Sequence, residues 1–163
     1  MCAPTFLSEI LVQAGNVLSP RDLIATVFPD DPALLYEAAL RCESNELGGS
    51  SDRMMTKALA ILECAPPPME EAQLLLQARI QVRLKQVPAA KNSYEQLLSA
   101  NPNQLTWRLE FSDFLMQAGL IREARKEILT LLSFRPNDQR AKSLYDTVIR
   151  ELAEKDGPRI NNK

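Results

Sequence analysis

The same short phrase occurs twice in this chain, LLSANP at residues 97–102 and LLSFRP at residues 131–136, an interval of 34 residues. A fixed period of that length is the signature of a stacked array of small supersecondary units, each too small to bury its apolar face alone. Prolines extend the ruler: Pro66 follows Pro32 by 34 residues, and Pro68, Pro102 and Pro136 keep the same interval. The run Pro66, Pro67, Pro68 absorbs a two-residue insertion. The chain therefore divides into repeats 1–34, 35–70, 71–104 and 105–138.

Within each repeat the apolar residues recur at helical spacing on two successive stretches, so each reads as a helix, a turn and a helix. In repeat three, Ala90, Tyr94, Leu97 and Leu98 form one face of the second helix, and Pro88 suits its first turn. Repeat four has the equivalent stripe at Ala124, Ile128, Leu131 and Leu132, with Gly119 allowing the turn before it. In repeat two, GGSSD at 48–52 reads as the turn and Met54, Ala58, Ile61 and Leu62 as the stripe. In repeat one, Gly15 stands where Gly119 does, and Ser19, Pro20 and Asp22 read as a helix start. After Pro136 one further helix is expected, with Ala141, Leu144, Tyr145, Val148, Ile149 and Leu152 on one face. It covers the apolar end that the last hairpin would leave open. The expected architecture is all-α: a right-handed solenoid of about four helix-turn-helix repeats, a capping helix at 139–155 and a polar tail at 156–163.

Composition agrees, because Leu, Ala, Glu, Gln, Arg and Lys abound while the chain has only five Gly and three Tyr. It also narrows function. With no histidine, every Ser-His-Asp or Cys-His nucleophile and every histidine-ligated metal site is excluded. No glycine-rich phosphate loop or nucleophile elbow occurs. The acidic pairs Asp30, Asp31 and Glu70, Glu71 fall at expected helix starts, where the helix dipole accounts for them. No catalytic residue, metal or cofactor is expected.

Cys2, Cys42 and Cys64 are odd in number and widely spaced, which suits ordinary thiols, with Cys42 and Cys64 as small core residues, in a reducing, cytoplasmic setting. The opening MCAPTFLSEI lacks the basic start of a signal peptide, and no apolar run reaches membrane-spanning length. Residues 1–70 carry 4 basic and 10 acidic groups, and residues 71–163 carry 15 and 11, giving −6 and +4. That balance is too mild for a nucleic-acid footprint, so neither nucleic acid nor a membrane is expected as partner. The stretch IREARKE at 121–127 alternates charge signs, as a solvated helix face does.

These residues resemble the tetratricopeptide repeat family over almost the whole chain. Its pattern of a small residue in the first helix, then alanine, a large apolar residue, another apolar residue and proline is met in repeat three by Ala78, Ala90, Tyr94, Leu97 and Pro102. Repeat four meets it with Phe111, Ser112, Leu115, Ala124, Ile128, Leu131 and Pro136. The match thins toward the N-terminus, where Pro20 replaces an alanine and Cys42 a small residue. The resemblance implies a concave groove lined by the first helix of each repeat. Its positions place Tyr36, Glu43, Arg79, Arg83, Asp113 and Met116 in that groove, and the capping helix adds Arg140. The best-known subclass grips a terminal carboxylate of heat-shock chaperones with lysine, asparagine and arginine. The matching places here hold Thr5, Glu9, Leu40, Ala72 and Leu76, or, one repeat on, Ala39, Glu43, Leu76, Thr106 and Glu110, so that activity is not implied. The expected function is a non-catalytic module binding a peptide or partner protein in the groove. The alternative is a helical accessory domain of a larger enzyme or regulator. Weak self-association is expected at repeat one, which has no obvious N-terminal cap.

Overall fold

The computed structural model of the chain describes residues 31–44 and 48–156. The features read in repeat one before Asp31, with Glu46, Leu47 and the tail from Gly157, lie outside the described residues. Seven helices and no strand are found among the described residues: α1 (Pro32–Ser44), α2 (Gly48–Glu63), α3 (Glu71–Arg83), α4 (Val87–Ala100), α5 (Leu105–Gln117), α6 (Ile121–Phe134) and α7 (Gln139–Asp156). Their order along the chain follows the sequence period, with α1 and α2 forming one hairpin, α5 and α6 another, and α7 as the terminal helix. The chain divides into two compact units, Met1–Gln86 and Val87–Lys163.

In the N-terminal unit α1 packs on α2 and α2 on α3. The start of α1 is fixed by Asp31, whose Oδ1 accepts the backbone N–H groups of Ala33 at 2.9 Å and Leu34 at 3.2 Å, with Pro32 in the first helical turn. The core is Leu35, Ala38, Ala39, Met54, Met55, Ala58, Leu59, Leu62 and Ile80, against which Tyr36, Leu40, Cys42 and Ile61 pack while partly buried. The glycines of GGSSD open α2 instead of forming the turn before it. The buried face of α2 explains this, because Ser51, Met54, Met55, Ala58 and Leu62 all need helical register to face inward. Cys42 is half-buried, but Cys64 is exposed, contrary to its reading as a core residue. It lies one residue past the end of α2, where the chain leaves the packed face for the proline-rich connection.

In the C-terminal unit α4 packs on α5, α5 on α6, and α7 on both α5 and α6. The predicted stripes are the buried ones: Ala90, Tyr94, Leu97 and Leu98 on α4, and Ala124, Ile128 and Leu131 on α6. Tyr94, 1% exposed, packs against both Phe111 and Phe114, with ring centroids at 5.2 Å and 6.0 Å, in a cluster of three mutually stacked rings. Its hydroxyl donates to Glu110 Oε1 at 2.8 Å, so burial leaves no polar atom of the ring unsatisfied. Asp138 Oδ1 caps α7 by accepting the N–H of Ala141 at 3.0 Å. Ala141 and Val148 face inward, Leu144, Tyr145 and Leu152 are half-buried, and Ile149 is exposed. Alanines without any exposed surface recur through the helices at Ala39, Ala58, Ala78, Ala90, Ala124 and Ala141.

The 34-residue period extends to individual backbone hydrogen bonds. At the end of α3, Lys85 N–H donates to Val82 O at 3.0 Å and Gln86 N–H to Gln81 O at 2.9 Å; at the end of α5, Gly119 N–H donates to Met116 O at 3.0 Å and Leu120 N–H to Leu115 O at 2.9 Å. Both pairs form a Schellman stop, which needs one residue in the left-handed region. Gly119 supplies it at φ 75°, and Lys85 adopts φ 58° at the same place. A Cβ added at Gly119 would meet nothing within 4 Å, so its cost is the backbone conformation alone. Gly119→Ala is therefore expected to lose about 1 kcal/mol, and Lys85→Gly to gain about as much, in urea unfolding followed by circular dichroism. Equal stability of Lys85→Gly and the parent chain would show that lysine bears no strain there.

Candidate functional site

The candidate residues fall into two groups, one in each compact unit. In the N-terminal unit, Glu43 at the end of α1 and Arg83 at the end of α3 form an ion pair at 3.0 Å, with side chains 33% and 49% exposed. The other carboxylate oxygen of Glu43 accepts a hydrogen bond from Ser51 Oγ at 3.3 Å, which anchors the acid to buried Ser51 at the start of α2. Tyr36 and Arg79 are half-buried on the same two first helices.

In the C-terminal unit, Arg140 at the start of α7 donates to Asp113 on α5. Met116 is half-buried one turn further along α5. The structure thus brings Glu43 to Arg83 and Asp113 to Arg140. In both cases an acid on one first helix meets a base on the next helix in that position. Arg83, expected in the groove, carries a matched charge. Such half-exposed pairs are each worth about 0–1 kcal/mol, so they shape the local charge more than they hold the fold.

Three further polar links were not legible in the sequence. Arg108 is buried and pairs with Glu127 of α6, while its second terminal nitrogen donates to Pro102 O at 3.1 Å. Lys91 Nζ of α4 lies 2.6 Å from Glu123 Oε2 of α6, and that hydrogen bond holds the ammonium's pKa above its ordinary value. Ser51 joins the set through Glu43. Each involves residues far apart in sequence, so helical spacing alone gives no signal for them. Burial pushes the pKa of the Cys42 thiol up, away from reactive thiolate. Among the described residues no three His, Cys, Asp or Glu side chains converge as metal ligands would. No described helix is long and apolar enough to cross a membrane.

Comparison with known proteins gives the same picture. Residues 81–146 match the family model described as tetratricopeptide repeat. Among solved structures, the chain is similar to the C-terminal TPR-containing domain of an FK506-binding protein from Plasmodium falciparum, with 14% identity and a TM-score of 0.50 over 79% of this chain and 96% of that one. It is also similar to a chain of the Sec complex from S. cerevisiae, with 19% identity and a TM-score of 0.55 over 96% of this chain and 92% of that one. At these identities the likeness is one of fold. No curated protein sequence matches. The match places tetratricopeptide repeats at residues 81–146, and the helices on either side keep the same helix-turn-helix order up to the terminal helix.

Proposed function

We propose that this chain is a non-catalytic, cytoplasmic interaction module whose first-helix faces receive a peptide or a segment of a partner protein. In this reading residues 1–155 form one repeat array, residues 156–163 form its tail, and Tyr36, Glu43, Arg79, Arg83, Asp113, Met116 and Arg140 line the receiving surface. The observation that supports it most is the Glu43 to Arg83 pair on neighbouring first helices, beside half-buried Tyr36 and Arg79. A polar pair next to the half-buried Tyr36 ring and Arg79 stem gives a peptide both hydrogen-bonding groups and contact area.

The test is affinity capture of partners with the wild type and with an Arg79→Glu, Arg83→Glu variant of unchanged circular dichroism. A partner held by the wild type and lost from the variant supports the reading. A partner retained at equal yield would place recognition elsewhere. A second reading, the helical accessory domain of a larger protein, draws on the likeness to a TPR-containing domain that is itself the C-terminal part of a longer chain. An open reading frame continuing into a further domain would favour it.

A further inference from the structure

The charges of IREARKE alternate along the sequence, yet the structure sorts them. The two acids turn to partners on other helices: Glu123, still 44% exposed, to Lys91 of α4, and Glu127, on the buried side, to Arg108 of α5. The three cations stay outside. Arg122, Arg125 and Lys126 are exposed, and none makes an ion pair or side-chain hydrogen bond among the described residues. At 100° per residue these three and Leu129 fall within about 100° of arc on α6, opposite the buried Ala124, Ile128 and Leu131. Leu129 is 44% exposed at the middle of that arc, one of three large apolar side chains so exposed among the described residues.

This arrangement works against the stability of α6. Arg122 and Lys126 are like charges at i and i+4, which repel on a helix. Arg122 also sits in the first turn, beside the positive end of the helix dipole. Glu123 in the same turn offsets part of the dipole cost, but its carboxylate is engaged by Lys91 of α4. An external anion would offset both, and Leu129 at the centre of the ridge sets what kind of anion fits. A nucleic-acid backbone or a lipid headgroup layer needs a broader and stronger basic field than residues 71–163 provide with 15 basic and 11 acidic groups. An acidic polypeptide segment with an apolar side chain between its carboxylates matches the pattern of three cations around one leucine.

We infer that the outer face of α6 is a second docking surface, separate from the first-helix faces, for an acidic segment of a partner protein with an apolar anchor. The anchor rests on Leu129 and the carboxylates meet Arg122, Arg125 and Lys126.

The experiment pans a random dodecapeptide display library on the full chain, with counter-selection on an Arg122→Glu, Arg125→Glu, Lys126→Glu variant. The enriched peptide is then synthesised with a fluorophore and measured by anisotropy. Enriched sequences are expected to carry several Asp or Glu around a Leu, Ile or Phe. Binding should weaken at least about ten-fold in Arg122→Glu, Lys126→Glu and several-fold in Leu129→Ala, fall with added salt, and stay unchanged in Arg79→Glu, Arg83→Glu. Circular dichroism checks each fold, and Arg122→Gln, Lys126→Gln replaces the reversal if the latter unfolds. The inference is overturned if no peptide prefers the parent chain, or if the enriched sequences lack acids. It is also overturned if oligothymidylate or phosphatidylserine vesicles bind more tightly through the same residues.

Discussion

Glu127→Ala is expected to destabilise the chain by about 3 kcal/mol in urea unfolding, more than removal of any other carboxylate on α6. Its partner Arg108 is the reason. The Arg108 side chain is 11% exposed and that of Glu127 17%, so both charges have left most of their water behind. Arg108 keeps one bond to Pro102 O, while its Nε is buried with no partner among the described residues. Truncating Glu127 leaves that guanidinium buried and unmatched, which is where the cost arises. The pair itself is a different matter. Arg108→Met with Glu127→Leu is expected to recover most of the loss, because a packed apolar pair need not repay desolvation. A loss below about 1 kcal/mol in the single variant would mean that Arg108 swings out to solvent, and the inward-facing role given to Glu127 would fall with it.

Tyr94→Ala should cost about 3–5 kcal/mol, on the scale of aromatic truncations in packed cores. The ring packs against both Phe111 and Phe114, which are themselves in contact at 6.3 Å, and its removal opens a cavity beside the two of them. Tyr94→Phe separates the ring from its hydroxyl. It should lose only about 1 kcal/mol, the net worth of the bond to Glu110. Thermal or urea unfolding of the two variants side by side decides the point. If Phe costs as much as Ala, the hydrogen bond and not the packing holds α4 to α5.

Both sites also mark how far the sequence could be read. Tyr94 was visible as an apolar stripe residue, since a helix face repeats every three to four residues and needs no knowledge of neighbours. Arg108 was not, because what matters about it is its approach to Glu127, 19 residues on across most of α5, a loop and the first half of α6. The start of α2 was misplaced for a related reason: the local preference of Gly48 and Gly49 for a turn yields to the need of Met54, Met55 and Ala58 to share one face. Cys64 was read as buried from residue type alone, and its position just past Glu63 decides otherwise. At the candidate site, Glu43 and Arg83 were legible as positions but not as partners, since 40 residues separate them. On α6 the alternating signs were legible, whereas their sorting into paired acids and outward bases depends on Lys91 and Arg108 reaching from other helices.

The placement of α7 has a consequence for how such a chain can grow. It rests on both α5 and α6, the place that the first helix of another repeat would occupy, and it is entered through the same bond pattern that precedes α5: Gln104 N–H to Asn101 O at 3.1 Å there, Asp138 N–H to Arg135 O at 3.2 Å here. The backbone of the seam before α7 thus repeats the one before α5, thirty-four residues earlier. Lengthening the chain at that point by tandem duplication of residues 105–138 would keep the register of the helices but exchange the side chains at the seam, setting Thr106 and Trp107 of the copy where Arg140 and buried Ala141 now stand.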